Sequence, residues 1–365
     1  VLAASSISGS FWDTTSSEES TSTTTTNANP LGKTTTQMQA IEDDGTSIYT
    51  DAGWDFAGKT SDGVDEAWLM TDGQYPRLAW EDKDTLTADE LHLDGLGTSF
   101  SPFQIDSAED LIAISQESGY WDKHFIQTAD IVFNSNPAQV DWDGDGNTDG
   151  INPAGFSPIG SDSGEGQRFI GAYDGQGHTI ENLYINRGDK FLGLFGYVRD
   201  ATLSNLMIRG EVTSTESSGG GRTGLLAGFM IDSNVQSVGV EGSVTDADSP
   251  DGDRKGGLVG QMADASTIAD SFAHVIVSSQ SDDELGGLVG RAEGAIDRSF
   301  STGTVTSIND QKIGGLAGED DTSLVASGSY YLNTAASKSA VGDPKTATEL
   351  KQIGTFSTWS ITKTY

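Results

Sequence analysis

Gly224-Leu225-Leu226-Ala227-Gly228, Gly256-Gly257-Leu258-Val259-Gly260, Gly286-Gly287-Leu288-Val289-Gly290 and Gly314-Gly315-Leu316-Ala317-Gly318 repeat one phrase, Gly-x-Leu-x-Gly. A variant, Leu192-Gly193-Leu194-Phe195-Gly196, precedes them. The closing glycines stand at 196, 228, 260, 290 and 318, in steps of 32, 32, 30 and 28 residues. A period of that size means stacked supersecondary units, not one globular core. After each phrase comes a short polar stretch and then a segment with apolar residues at every second or third place. These segments cover residues 203–212, 235–244, 268–277 and 296–305. That is a strand signal with bends, not a helix signal. A single unit cannot bury its own apolar face, so successive units must stack over a shared column of Leu, Val, Ile and Phe. The glycines fit places where the backbone needs positive φ or approaches the next coil closely. Residues 169–185 read as one more coil, turning at Asp174-Gly175-Gln176-Gly177. His178, just after that turn, reads as a coil-corner residue, because no nucleophile or second histidine lies at a suggestive spacing.

The 365 residues carry a net charge of −35, and cysteine is absent. So acidic a surface repels nucleic acid and anionic lipid, and it attracts divalent cations. No thiolate chemistry is available, and no apolar run is long enough to span a membrane. The chain opens on Val1, which reads as a processed piece or an excised part of something longer. The Thr/Ser-rich tract over residues 14–26 is low-complexity and reads as a surface loop or linker.

The strongest chemical motif is Asp141-Trp142-Asp143-Gly144-Asp145-Gly146-Asn147-Thr148-Asp149-Gly150-Ile151-Asn152. Asp141, Asp143 and Asp145 occupy positions 1, 3 and 5 of a calcium loop, and Gly146 allows the sharp turn. Asn147 would offer its carbonyl and Asp149 its carboxylate, directly or through water. The bidentate Glu of position 12 is replaced by Asn152. The flanks do not read as paired amphipathic helices, so the expectation is a Ca2+ clamp and not a sensor. A weaker acidic cluster is Asp246, Asp248, Asp251 and Asp253, for which an acidic turn is the simpler account.

Several ordered segments resemble the GLUG-motif family of bacterial surface proteins. Besides the Gly-x-Leu-x-Gly phrases, these are Phe125-Ile126-Gln127-Thr128-Ala129-Asp130-Ile131, Phe156-Ser157-Pro158-Ile159-Gly160 and residues 174–180. Ser8-Gly9-Ser10-Phe11-Trp12, Lys33-Thr34-Thr35-Thr36-Gln37-Met38, residues 53–56 and Tyr75-Pro76-Arg77-Leu78 resemble that family's ending. The resemblance implies an all-β, right-handed parallel β-helix in a secreted or cell-surface protein, often an adhesin. Some members carry a zinc protease domain, whose His-Glu-x-x-His motif is absent from this sequence.

The two ends of the chain also resemble each other. Ser8-Gly9-Ser10-Phe11-Trp12 returns as Ser327-Gly328-Ser329-Tyr330-Tyr331, and residues 33–41 return as 345–353. Trp54 has a counterpart in Trp359. We therefore expect residues 1–88 to form an irregular aromatic-rich module, the ending of one unit. Residues 89–365 are expected to form the next unit: an entry helix near Ser107, the calcium loop, and the parallel β-helix. The expected function is structural and extracellular: a stiff calcium-stabilised rod or fibre. It would be either a filament subunit joined head-to-tail or a segment of a tandem-repeat adhesin. The alternative is a β-helix that binds or degrades polysaccharide, with Trp12, Trp54, Trp68, Trp80 and Trp121 against sugar rings of the cell surface or matrix. Arg168, Arg187, Arg199 and Arg209 form no dense constellation in sequence, so catalysis is not expected.

Overall fold

The computed structural model describes residues 11–17, 31–40, 48–49, 54, 68–69, 75–78, 93–144, 147–151, 153–161, 167–247, 253–280, 284–307, 312–320, 325–333, 341–357 and 359. The chain divides into two compact units, Val1–Phe103 and Gln104–Tyr365.

The second unit is a parallel β-solenoid. Strands Phe191–Leu192, Arg222–Thr223, Arg254–Gly256, Glu284–Gly286 and Ile313–Gly314 stack in parallel as one face. Strands Phe195–Arg199, Ala227–Ile231, Val259–Ala263, Val289–Ala292 and Ala317–Asp320 stack as a second. The long strands Thr202–Ser214 and Asn234–Asp246 anchor a third, 15-stranded face. On the second face Phe195 pairs with Ala227, Ala227 with Val259, Val259 with Val289, and Val289 with Ala317. The coil lengths are therefore those of the glycine phrase. Its central leucines, Leu194, Leu226, Leu258, Leu288 and Leu316, form a column with 0% exposure.

The phrase glycines serve close approach only. A Cβ on Gly260 would sit 2.4 Å from the Thr223 nitrogen and 2.6 Å from the Gly228 oxygen. None of them has positive φ. The left-handed corners fall instead on polar residues: Asp200, Asp232 and Asp264 at one corner, and Asn205, Ser237, Asp270 and Arg298 at another. Short polar side chains tolerate that conformation better than apolar ones. Just inside the second corner, Ser271 accepts the Val238 N–H, Ser299 accepts the Ser271 N–H and Ser329 accepts the Ser299 N–H, at 3.1, 3.2 and 3.2 Å. These hydroxyls satisfy backbone donors that the bend removes from the ladder.

At the second corner the Arg298 guanidinium binds Asp270 at 2.6 and 2.7 Å and holds its carboxyl below the usual carboxylate range. A depressed carboxylate stabilises the fold above its unfolded pKa and loses that contribution as pH falls. Asp270→Asn should therefore flatten the loss of stability below about pH 4, by less than about 1 kcal/mol for so exposed a pair. Thermal midpoints of both proteins at pH 7 and pH 3 measure this.

The entry helix is Ala108–Gln116. Ser107 caps it in a reciprocal capping box with Asp110, and Leu111, Ile112 and Ile114 are buried. That box satisfies two otherwise orphaned backbone donors.

The sequence repeat between the ends is also structural. Phe11–Asp13 pairs in parallel with Leu31–Lys33, as Tyr330–Leu332 pairs with Asp343–Lys345. Thr34 and Gln37 form a capping box, and Thr346 and Glu349 exchange the same two bonds. Phe11, Tyr49 and Trp54 have ring centroids 5.1, 6.3 and 4.9 Å apart. The corresponding Tyr330, Phe356 and Trp359 lie 5.6, 6.2 and 4.7 Å apart. The first unit thus holds the end-piece of a solenoid module. Within it Trp68 covers Trp54 at 4.4 Å.

Candidate metal centre

The acidic loop projects from a shoulder that Trp142 fixes. Trp142 is 1% exposed; its indole N–H donates to the Pro137 carbonyl at 2.9 Å, and its ring packs 4.9 Å from Phe133. Its backbone N–H donates to Asp149 Oδ2 at 3.2 Å, and the Asp149 N–H donates to the Val140 carbonyl at 3.2 Å. The loop is therefore closed on itself by Asp149. Gly144 and Gly150, both at φ +71°, make the tight turns.

Burying Trp142 turns its neighbours outward. Asp141, Asp143 and Asp149 bring one carboxylate oxygen each within 4.8 Å of one another. Oxygens bound to one calcium at 2.3–2.6 Å lie at most about 5 Å apart, so the three fit a single ion of that size. Asn147 lies in the loop between them; Asp145, Gly146 and Asn152 lie outside the described residues. Three monodentate carboxylates are fewer than the 6–8 oxygens calcium takes, leaving room for carbonyls, water or bidentate binding. Nearby, burial pushes the Arg187 guanidinium down while the Asp189 and Asp149 charges oppose that shift.

The second acidic cluster has a different nature. Asp246 and Asp253 close on the ammonium of Lys255, at 3.0 and 3.4 Å, and all three side chains are at most 1% exposed. A lysine stands where a bound cation was considered. Asp248 and Asp251 lie outside the described residues. The sequence signal for this group was Lys255 itself, in a column that otherwise reads Leu192, Thr223, Leu285 and Ile313.

Most of the remaining candidates are engaged by local partners. His178 Nδ1 lies 3.2 Å from Asp130, whose carboxylate also accepts the Thr179 N–H and is held low by those bonds. Arg168 lies over the Tyr197 ring, Arg187 donates to the Gly155 and Phe156 carbonyls, and Arg199 pairs with Asp200. Arg209 bridges Glu181 and Glu241 on neighbouring coils. Trp121 is buried with its N–H on the Ile114 carbonyl, and Trp54 and Trp68 are partly buried in the aromatic cluster. Trp80 and the Trp12 side chain lie outside the described residues.

These features define a parallel β-solenoid protein with an acidic shoulder loop. No family model matches the chain. Over 173 residues, 47% of the chain, it is 34% identical to halomucin of Haloquadratum walsbyi, and that match spans 2% of halomucin. Among solved structures it is similar to a Bacteroides ovatus protein provisionally assigned as an immunoglobulin A1 protease. The TM-score is 0.44 at 18% identity, over 73% of this chain and 90% of the other. Among the described residues no helix is long and apolar enough to cross a membrane.

Proposed function

We propose that the chain is a non-catalytic structural segment of a longer secreted or cell-surface protein. Its solenoid acts as a stiff, acidic spacer that Ca2+ clamps at the shoulder through Asp141, Asp143, Asp149, the carbonyl of Asn147 and Asp145. The observation that carries this reading is the convergence of three carboxylates on a loop closed over a buried tryptophan. Without a cation, three like charges at that spacing repel one another.

The tandem arrangement, rather than a free filament subunit, is supported by the repeated end-piece within this one chain. It is also supported by the length of halomucin, about fifty times the shared segment and a mucin by its name. The third face runs nine strands deep, about 40 Å at about 4.8 Å per step, so a long rod needs modules in series. The resemblance to GLUG-motif surface proteins points the same way. A glycosidase role finds little support. Burial pushes Glu284 up while Glu319 is lowered, yet the two are hydrogen-bonded to each other and both bind Lys312. Glycosidic carboxylates stand at least about 5 Å apart, with the reacting sugar or a water between them.

Two measurements test the proposal. Chelating calcium should speed proteolytic cleavage within residues 141–152 at least several-fold; an unchanged rate removes the clamp. Sedimentation velocity at rising concentration should show a constant monomer; end-to-end growth would transfer the proposal to head-to-tail self-assembly.

A further inference from the structure

Lys255 occupies a place in the solenoid where its neighbours along the stack are core residues. It pairs with Thr223 on one coil and Leu285 on the next, and its side chain is 0% exposed. Its ammonium lies 3.0 Å from Asp246 Oδ2 and 3.4 Å from Asp253 Oδ2, whose side chains are 0% and 1% exposed. Removing three ions from water costs several kcal/mol for each of them, in order of magnitude, and two carboxylates facing one lysine leave a net negative charge inside. Such a cluster gains from any change that cancels a cation and an anion together.

The Asp246 carboxyl is held at both oxygens. The Ser279 hydroxyl donates to Oδ2 at 2.5 Å and the Gln280 N–H donates to Oδ1 at 3.3 Å. Asp253 is held separately, its Oδ1 accepting the Gly221 N–H at 2.7 Å. An acceptor carboxyl with fixed donors, an amine at contact distance and a second carboxylate touching that amine are the three parts that amide formation requires.

We propose that Lys255 and Asp246 condense spontaneously into an intramolecular isopeptide bond, with Asp253 carrying the protons. Burial removes the hydration that keeps an ammonium–carboxylate pair charged, so transfer to amine plus acid costs less there than in water. Asp253 takes a proton from the Lys255 ammonium and passes it to Asp246. The neutral amine attacks Asp246 Cγ, and the negative charge that develops on Oδ1 faces the Gln280 N–H. A second proton moves from nitrogen through Asp253 to Oδ2, the Cγ–Oδ2 bond breaks and water leaves. Of the three ammonium protons, two depart in the water and one stays on the amide. Asp253 ends as it began, and no oxidant or cofactor takes part. The product ties the end of strand Asn234–Asp246 to strand Arg254–Gly256, closing the corner between two faces of the solenoid.

Mass spectrometry of the purified full chain tests this. The expected intact mass is lower than the sequence mass by one water. Trypsin cuts after Arg254, between the partners, so the peptide carrying Asp246 and the peptide beginning at Lys255 should stay joined. Lys255→Arg should restore the full mass, which also excludes dehydration at the Asp251-Gly252 step. In Asp253→Asn, checked for its β-sheet circular dichroism, the bond should form at least tenfold more slowly. A wild-type chain at full sequence mass, with the two peptides separate, overturns the proposal; so does a water loss that persists in Lys255→Arg.

Discussion

Gly260→Ala is expected to destabilise the solenoid by more than about 3 kcal/mol, at or beyond the upper end of overpacking costs. The added methyl would meet the backbone at Thr223, Gly228 and Arg222, all within 2.8 Å. These are atoms of neighbouring strands in the ladder, and they cannot rotate away as a side chain does. Relief requires spreading two coils, which also breaks hydrogen bonds along the Ala227–Ile231 and Val259–Ala263 strands. Gly177 is the control. It has nothing within 4 Å of an added Cβ, but its φ is +84°. Gly177→Ala should cost only the left-handed backbone penalty, about 1–2 kcal/mol. Denaturant unfolding of both variants decides the matter: equal losses would mean that the glycine column is not a close contact.

Lys255→Met should cost at least about 3 kcal/mol, since it removes one partner of the buried cluster and with it the amide proposed above. Methionine matches the apolar column, so packing is conserved and the loss reports the charges and the cross-link together. Asp246 and Asp253 would keep their donors from Ser279, Gln280 and Gly221 but lose the cation between them. The triple replacement Lys255→Met, Asp246→Leu and Asp253→Leu should regain the part of that loss due to uncompensated charge, because an apolar trio buries none, but not the part due to the cross-link. Chemical denaturation of the single and triple variants provides the comparison. A single variant as stable as the wild type would remove any energetic role for the cluster.

The glycine phrase made the coil length legible, down to the shortening from 32 to 28 residues, because one residue sets one ladder position. The entry helix was legible through Ser107 and the acidic residues after it. Corner conformation was not. Of the two roles expected for the phrase glycines, close approach holds, while positive φ fell on Asp, Asn, Ser and Arg, since a coil bends beside its strands and not where two coils touch. The serine files at the corners were equally hidden, because a lone serine every 28 to 33 residues carries no local signal. At the loop, the calcium-loop spacing made Asp141 and Asp143 readable as a pair. Asp149 was readable at the ninth position of the loop as well; the hydrogen bond to Val140 that holds it there is what spacing does not encode. The pairing of Asp246 and Asp253 with Lys255 was missed because acidic residues were counted together without the lysine that follows them.

Calorimetric titration of the full chain with calcium, beside the double variant Asp143→Asn, Asp149→Asn, tests the central claim most directly. The account predicts one saturable site in the wild type, within the range of about 10⁻⁷ to 10⁻³ M spanned by sensor and extracellular oxygen-ligand loops. In the variant that site should be lost while the β-sheet circular dichroism persists. Absence of saturable heat in the wild type at millimolar calcium, or unchanged binding in the variant, would contradict it.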